Sequence, residues 1–368
     1  MVYLNNAATS YPKPPSVVKA VVEALETMPA SALRSSLSAG DDTIISLRED
    51  LATLLHVSHP DRIFFTSGAT DSLNRLIGGL SFQHALVTTD NHNSVLRPIE
   101  NLKRIEHLKF PENPDHLGNL ENPGKKHPAL LILPHCSNVT GGIHDIAAIC
   151  QKAHQQDILV MLDAAQSAGC IPIDAEKWNV DIIAFTGHKA LFGPQGTGGY
   201  YIRPGISLRP TIFGGTGRDS SIIRYDDGDW EYEVGTLNMP GLAGLKAGVE
   251  YVLKEGVETI FGQLHEQIKW LIAQLKSIPR VRLYRQGEEP QGPVVSFNID
   301  GLKPADVGYI LQNAYGITTR TGLHCAPLIH QQLGTTPWGT VRVSLSHLTT
   351  DNDLQTLVNA VQDICKGI

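Results

Sequence analysis

The chain has 368 residues, 42% hydrophobic and 18% charged, a composition typical of a globular protein large enough for two domains. Its formal net charge of −7 argues against a nucleic-acid-binding surface, and no apolar run approaches membrane-spanning length. The five cysteines are far apart without a CxxC pair, and no secretion signal is recognisable, so we expect a cytoplasmic protein.

The first half of the chain alternates short apolar runs with helical patterns. Helices are predicted at residues 16–26, 41–55, 71–80, 94–104 and 145–154, and a polar loop around Arg34 at residues 31–40. Strands are predicted at residues 62–66, 84–88, 129–133, 158–162 and 182–185. Strands and helices that alternate at this spacing predict a largely parallel sheet covered by helices on both faces.

After residue 203 the pattern changes to a polar, loop-rich stretch at residues 205–229 and then to longer helices. Helices are predicted at residues 242–255, 257–277, 304–314 and 351–365, with strands at residues 281–284 or 294–299 and at residues 340–344. We therefore predict an α/β protein with an N-terminal arm (residues 1–15) that packs with the small domain. The large domain would span residues 16–240, and a smaller α+β domain residues 241–368.

One lysine stands out because of its neighbours. Lys189 follows the strand predicted at residues 182–185 and precedes four glycines and a proline at residues 193–199. A lysine held between glycine turns at a strand end can be partly desolvated, which lowers the pKa of an ammonium and frees the amine for Schiff-base chemistry. An ordinary lysine in a flexible surface loop is the alternative.

Polar groups follow the other predicted strands as well. Asp163, His92 and Asn138 each come shortly after a strand, and Gly68 to Thr70 open a helix whose first amides could bind an anion. Taken singly, Asp163 could cap a helix, His92 could be a loop histidine and Asn138 could form a turn. Because the carboxyl ends of parallel strands share one edge of a sheet, the set together indicates a site for a charged aromatic phosphate.

With these motifs in view, the chain resembles the class V, fold-type I enzymes that depend on pyridoxal phosphate (PLP), close to Suf-type cysteine desulfurases and selenocysteine lyases. The matching stretches occur in the family's order and span nearly the whole chain: Asn5-Asn-Ala-Ala8, Phe65-Thr-Ser-Gly-Ala-Thr70, Asp90-Asn-His92, Ser137-Asn-Val139, Asp163-Ala-Ala-Gln166, Gly187-His-Lys189, Gly193-Pro-Gln-Gly-Thr-Gly198, Phe213-Gly-Gly215, Glu233-Val-Gly-Thr236, Arg320-Thr-Gly-Leu-His-Cys325 and Val341-Arg-Val-Ser344. The resemblance implies a large domain with a mostly parallel seven-stranded sheet covered by helices, plus a smaller α+β C-terminal domain.

The resemblance also implies how PLP would be held. Lys189 would carry it as a Schiff base and move the substrate's Cα proton, Asp163 would pair with the ring nitrogen, Gln166 would bind the ring oxygen, and His92 would stack on the ring. The phosphate would be held by Ala69, Thr70, Thr186 and His188, and by Thr236 from a second subunit. The last contact implies a homodimer with its active site at the interface; no metal is implied.

The substrate would be bound by polar groups from both domains. Asn138, Arg320 and Arg342 would hold the substrate, with Arg342 as a bidentate fork on its carboxylate. Arg342 lies between two valines, so strand alternation alone also allows a solvent-facing side chain.

Cys325 separates the reactions within this family. It lies between a β-type run and a proline, which predicts a loop, and nearby Arg320 and His324 would make the thiol more reactive. A small buried thiol is the alternative. By resemblance the thiol takes the sulfur of L-cysteine as a persulfide, alanine leaves, and the sulfur passes to an acceptor protein.

Other functions stay open at this point. A selenocysteine lyase, an aminotransferase, an epimerase or a C–S lyase would use Lys189 and Asp163, and a non-catalytic sulfur-transfer scaffold would keep only the fold. Ser67 and Thr140 stand where relatives usually have arginine and leucine, which leaves the substrate open. A zinc site from residues 324, 325 and 330 lacks a second ligand pair, and no phosphate-binding P-loop motif occurs.

Overall fold

The computed structural model describes residues 1–27, 39–102, 107–109, 129–215, 223, 232–284 and 291–367. Residues 31–38 of the loop predicted at residues 31–40 lie outside the described ranges. Most residues of the predicted polar stretch after residue 215 also lie outside them.

The described elements follow one another in a pattern close to the predicted one. The strands are β1 (Val2–Tyr3), β2 (Ile63–Thr66), β3 (His84–Val87), β4 (His107–Lys109), β5 (Ala129–Pro134), β6 (Ile158–Asp163), β7 (Ile182–Thr186), β8 (Gly198–Ile202), β9 (Val281–Tyr284), β10 (Val294–Ile299), β11 (Ile317–Thr318), β12 (Arg320–Gly322) and β13 (Thr340–Ser344). The helices are α1 (Pro15–Glu26), α2 (Ala39–Leu55), α3 (Ala69–Gly79), α4 (Asn93–Glu100), α5 (Ile146–His154), α6 (Ala175–Trp178), α7 (Met239–Glu255), α8 (Val257–Ser277), α9 (Pro304–Tyr315), α10 (Pro327–Gln332) and α11 (Asp351–Lys366).

A seven-stranded sheet, in the order β2–β8–β7–β6–β5–β3–β4, forms the centre of the large domain in the described part of the chain. Strands β3 to β7 are parallel to one another, and β8 runs antiparallel between β7 and β2. The predicted α/β architecture with a mostly parallel sheet is confirmed.

Helices cover both faces of this sheet because its strands are apolar on both sides. Along β5, Leu130 and Ile132 belong to one core cluster, with side chains of α3 and α4, whereas Leu131 and Leu133 belong to another, with side chains of α2 and α5. Successive residues of a strand point to opposite faces, so a continuous apolar run buries both. This is why the central strands could be predicted from apolar runs alone.

Strand β8 was not predicted, because two of its five residues are glycines. A Cβ at Gly198 would lie 2.6 Å from the Cα of Gly68, and a Cβ at Gly199 would lie 2.4 Å from the carbonyl oxygen of Phe64. The glycines therefore permit a close approach of β8 to β2, rather than a flexible loop. This approach brings the start of α3 next to the end of β7.

The small domain is built on an antiparallel sheet in the order β12–β13–β10–β9. Helices α8 and α9 pack against this sheet, and α11 packs against both of these helices. Strands β11 and β12 fall on the β-type run noted before the Cys325 loop, but their bounds were not predicted, and neither was the short helix α10. They are only two to six residues long, too short for a periodic pattern to appear.

The N-terminal arm and helix α7 connect the two domains. Strand β1 pairs in parallel with β11 of the small domain. Helix α7, which lies just after the boundary predicted at residue 240, packs against α1 and α2 of the large domain. The packing favours a boundary at Gly256, between α7 and α8, and we propose that position. None of the helices in the described ranges is both long and apolar enough to cross a membrane.

Candidate active site

The carboxyl ends of β5, β6 and β7 open into a cleft of about 430 Å³ that residues of both domains line. Pro134, Asp163 and Thr186, the last residues of these strands, are part of its lining, together with Arg320 and Arg342 of the small-domain sheet. Apart from positions 325 and 236, every predicted site residue lines this one cleft. The convergence expected at the strand ends of an open α/β sheet is therefore present.

Lys189 lies in a tight turn directly after β7. The turn folds back on itself, since the amide of Gly193 donates to the carbonyl of Gly187 at 2.8 Å and the amide of Phe192 donates to that of Lys189 at 2.9 Å. Burial lowers the pKa of Lys189 to about 8; Arg342 adds to this effect, and Asp163 opposes it. Burial thus makes the neutral amine more available than in an exposed lysine.

Asp163 is a buried carboxylate at the end of β6. It accepts a hydrogen bond from the amide of Ala165 at 2.9 Å, and burial raises its pKa. The charge of Lys189 partly opposes this rise in pKa, but within the described ranges no basic side chain forms a direct ion pair with Asp163, which is unfavourable for a buried carboxylate. Gln166 lies beside it and donates to the carbonyl of Ala7 at 3.0 Å. A cationic ring nitrogen would supply the missing partner of Asp163.

His92 is the N-cap of α4 rather than a loop histidine. Its Nδ1 accepts the amide hydrogen of Ser94 at 3.0 Å. Burial, followed by the charge of Lys189, lowers the pKa of His92 to about 4, so the ring is neutral. Because Nδ1 is the acceptor, the proton lies on Nε2, and a neutral ring is suited to stacking on an aromatic ligand.

The residues predicted to hold a phosphate lie around the start of α3. This helix begins at Ala69 and Thr70, and its N-cap, Gly68, provides no side chain to satisfy the first amides. In the lining of the same cleft, Thr186 Oγ1 and His188 Nδ1 are buried without a hydrogen-bond partner in the described residues. Two orphaned polar atoms beside an uncapped helix start fit an anionic oxygen ligand such as a phosphate.

Arg342 is fully buried in the centre of the small-domain sheet, so the solvent-facing alternative is wrong. Its guanidinium donates to the carbonyl of Asn138 at 3.0 Å and to Oδ1 of Asn5 at 3.3 Å, while its Nε has no partner. Burial lowers the pKa of Arg342 to about 9. Among the described acids none pairs with it, and a buried guanidinium without a counter-ion favours an anionic ligand.

Cys325 lies in a tight turn between β12 and α10. His324 and Cys325 both have positive φ, 48° and 59°, which is uncommon for residues with a Cβ. The turn is anchored at two carbonyls: the amide of Asn93 donates to Cys325 at 2.7 Å, and the side chain of Asn138 donates to His324 at 2.7 Å. Such backbone strain persists only where surrounding contacts determine it, and it is common at functional sites.

The thiol of Cys325 is half-buried and lies 3.1 Å from the guanidinium of Arg320, which donates to it. Although Cys325 itself is not part of the cleft lining, Arg320 is. His324, predicted to act on the thiol as well, instead hydrogen-bonds to Thr340 of β13. Among the two predicted neighbours, Arg320 is the one in contact with the sulfur.

Thr236 lies outside the cleft and is exposed. The segment before it is anchored to the large domain, since Glu233 accepts the amide of Phe65 at 2.6 Å and forms an ion pair with Arg48. Thr236 is thus presented on the surface of the single chain, and its role across a subunit interface stays a prediction.

Sequence reasoning missed two features beside the cleft. Asp90 lines the cleft and pairs with the buried His144 at 2.8 Å, and Ser10 and Lys13 of the N-terminal arm contact the Lys189 turn. The N-terminal arm was predicted to pack with the small domain; the signal for its contact with the large domain is the lysine between prolines in Pro12-Lys-Pro-Pro15. The described residues contain no group of three or more His, Cys, Asp or Glu side chains placed to hold a metal ion.

Comparison with known proteins identifies the family. The Aminotransferase class-V profile matches residues 2–357. The chain is 32% identical to a probable cysteine desulfurase of Methanothermobacter thermautotrophicus over 99% of this chain and 94% of that protein. It is 29% identical to a cysteine desulfurase of Escherichia coli over 99% and 93%. The apo structure of the cysteine desulfurase from Thermococcus onnurineus matches with a TM-score of 0.89 at 28% identity, covering 100% of this chain and 95% of that one. The chain therefore belongs to the aminotransferase class-V family, as its motifs predicted.

Proposed function

We propose that the protein is a PLP-dependent cysteine desulfurase, which converts L-cysteine to L-alanine and leaves the sulfur as a persulfide on Cys325. The observation that carries this proposal is the contact of the Cys325 thiol with Arg320, which lines the same cleft as Lys189. Relatives named as cysteine desulfurases, matched over nearly the full chain, support it.

The cleft residues fit PLP at each of its polar groups. Asp163 would face the ring nitrogen, and Thr186, His188 and the start of α3 would hold the phosphate with the donors that now lack partners. Lys189 would attach the cofactor through its amine. When bound, PLP supplies the electron sink for bond cleavage next to the amino group of the substrate.

The protein's own residues bind the substrate and move its protons. Arg342 and Asn138 hold the carboxylate, and binding of this anion provides the buried guanidinium with a counter-ion. This fixes the Cα–H bond of the substrate relative to Lys189, whose amine takes the Cα proton. With a pKa of about 8, Lys189 can both accept and return a proton near neutral pH.

Sulfur transfer then takes place at Cys325. Its sulfur, held in place by the hydrogen bond from the guanidinium of Arg320, attacks the sulfur of the substrate as a nucleophile. The Cβ–S bond breaks, a new S–S bond forms on Cys325, and the carbon skeleton gains the protons that make it alanine. Atoms balance with one thiol and one L-cysteine giving one persulfide and one L-alanine. The half-buried position of Cys325 leaves the persulfide accessible to a sulfur-acceptor protein.

We propose further that the enzyme is a homodimer with its active site at the interface. Three apolar side chains at helical spacing on α1, Val18, Val22 and Leu25, are 57%, 46% and 68% exposed in the single chain. An apolar stripe of this kind favours an association surface. Thr236, exposed and outside the cleft of its own subunit, would complete the phosphate site of the other.

The test compares Cys325→Ser with wild type, and Cys365→Ser, on the last helix, is the matched control. We expect Cys325→Ser to attach PLP and bind L-cysteine but to lose sulfide release and persulfide formation, whereas Cys365→Ser keeps both. An aminotransferase, epimerase or C–S lyase would keep its turnover in Cys325→Ser, and that outcome would refute the proposal. Selenocysteine as substrate in the same assay tests the lyase alternative.

A further inference from the structure

We propose that the N-terminal arm (residues 1–15) helps to form the active site, and that its residues Ser10 and Lys13 are positioning residues that clamp the turn bearing Lys189. The inference rests on the proposed function, because that function assigns chemistry to Lys189. It concerns this turn and not the groups that touch PLP or substrate.

The first evidence is the concentration of hydrogen-bond donors on two adjacent carbonyls. The carbonyl of His188 receives the amide of Ser10 at 3.0 Å, the hydroxyl of Thr9 at 3.1 Å and the ammonium of Lys13 at 3.1 Å. The carbonyl of Lys189 receives the hydroxyl of Ser10 at 2.8 Å. Lys13 also donates to the Ser10 hydroxyl at 2.8 Å, so the arm holds both peptide units through one linked set of contacts.

The second evidence is the setting of Lys13 itself. Its ammonium forms no ion pair with an acid in the described ranges, and burial lowers its pKa to about 8. Lys13 is half-buried, and withdrawing a cation even partly from water without a counter-ion is unfavourable, so a lysine is an unusual choice for a purely structural attachment. Lys19, on the exposed side of α1, shows the ordinary arrangement, since it pairs with Glu23 in water.

The third evidence is the other end of the arm, which contacts the substrate and cofactor side of the cleft. Oδ1 of Asn5 accepts from Arg342 at 3.3 Å, and the carbonyl of Ala7 accepts from Gln166 at 3.0 Å. The hydroxyl of Tyr3 donates to the carbonyl of Thr9 at 2.9 Å and so closes the arm on itself. One short segment therefore connects the carboxylate-binding arginine to the lysine turn.

From these contacts we expect the clamp to restrict where the Lys189 amine can move. Without the Ser10 and Lys13 donors, the two carbonyls have fewer restraints, and the internal hydrogen bonds of the turn should open more often. The position of a reacting amine affects the rate of the chemical step more than the affinity for substrate. Loss of the clamp should therefore lower kcat and leave KM nearly unchanged.

The test uses the full chain in the variants Lys13→Met and Ser10→Ala, with Lys19→Met as control. Hydrogen exchange of the Phe192 amide, which donates to the Lys189 carbonyl, is measured first in protein without PLP. We expect exchange about tenfold faster in both variants, as for the loss of about one hydrogen bond, and unchanged in the control. Unchanged exchange in both variants would overturn the clamp, and this reading does not depend on PLP chemistry.

The second measurement uses the PLP-loaded proteins and L-cysteine. We expect kcat to fall about tenfold with KM within twofold of wild type, and PLP attachment to Lys189 to be slower to a similar degree. Raised KM with unchanged kcat would contradict a positioning role. If Lys13→Met does not fold, Ser10→Ala alone decides. A wild-type protein that never attaches PLP would refute the proposed function instead, whatever the exchange data show.

Discussion

Replacing Arg342 by glutamine should remove most of the enzyme's affinity for a substrate carboxylate. The guanidinium is 0% exposed and contacts only neutral oxygen atoms, so its charge has no partner in the described chain until an anion binds. Removing one partner of a buried, hydrogen-bonded charge pair costs about 2–5 kcal/mol. At about 1.4 kcal/mol for each factor of ten, kcat/KM for L-cysteine should fall about 30- to 4,000-fold.

The assay follows alanine formation from L-cysteine in Arg342→Gln, with Arg282→Gln as control. Arg282 lies on the small-domain sheet too, but its side chain is 65% exposed and its partner Asp300 is 3.8 Å away. Cysteamine, which is cysteine without the carboxylate, isolates the interaction, because wild type and Arg342→Gln should process it at equal rates. A variant that keeps kcat/KM for L-cysteine within twofold of wild type would refute carboxylate binding by Arg342.

Three further predictions concern the other parts of the site. The rate at which PLP attaches to Lys189 should rise with pH to a midpoint near 8. Asp163→Asn should move that midpoint lower, because the Asp163 carboxylate stabilises the lysine ammonium. A stopped-flow pH series that places both midpoints above 10 would contradict this. Arg320→Gln should slow alkylation of Cys325 by iodoacetamide about tenfold, since a charge-assisted contact to the sulfur is lost, and an unchanged rate would separate Arg320 from thiol activation. Thr236→Val should weaken PLP binding. Mixed dimers of one Thr236→Val subunit and one Lys189→Ala subunit should recover wild-type PLP affinity at one site per dimer. Mixed dimers without this recovery would contradict a contact across the interface.

The central strands and the residues at their ends could be predicted because both follow local rules. The apolar run of β6 predicts a buried strand, and Asp163 at its end is conspicuous because acids are expensive to bury. The same reasoning placed His92 and Lys189 at one edge of the sheet. Their roles towards PLP came from the resemblance, since a strand end alone does not specify a ligand.

The elements that could not be predicted depend on contacts between distant parts of the chain. Whether Arg342 points inward depends on the packing of β13 between β10 and β12, because a single alternating strand has two equivalent faces. The left-handed backbone at Cys325 depends on the hydrogen bonds from Asn93 and Asn138, which lie far away in sequence. The contact of Lys13 with the Lys189 turn joins residues 175 or more positions apart.

The measurement that tests the central claim most directly is incubation of the PLP-loaded protein with L-cysteine, followed by amino-acid analysis and mass spectrometry of the peptide that contains Cys325. The proposed function predicts L-alanine together with a gain of one sulfur atom on that peptide in the first turnover. Alanine without added sulfur on Cys325, or sulfide and pyruvate in place of alanine, would contradict it.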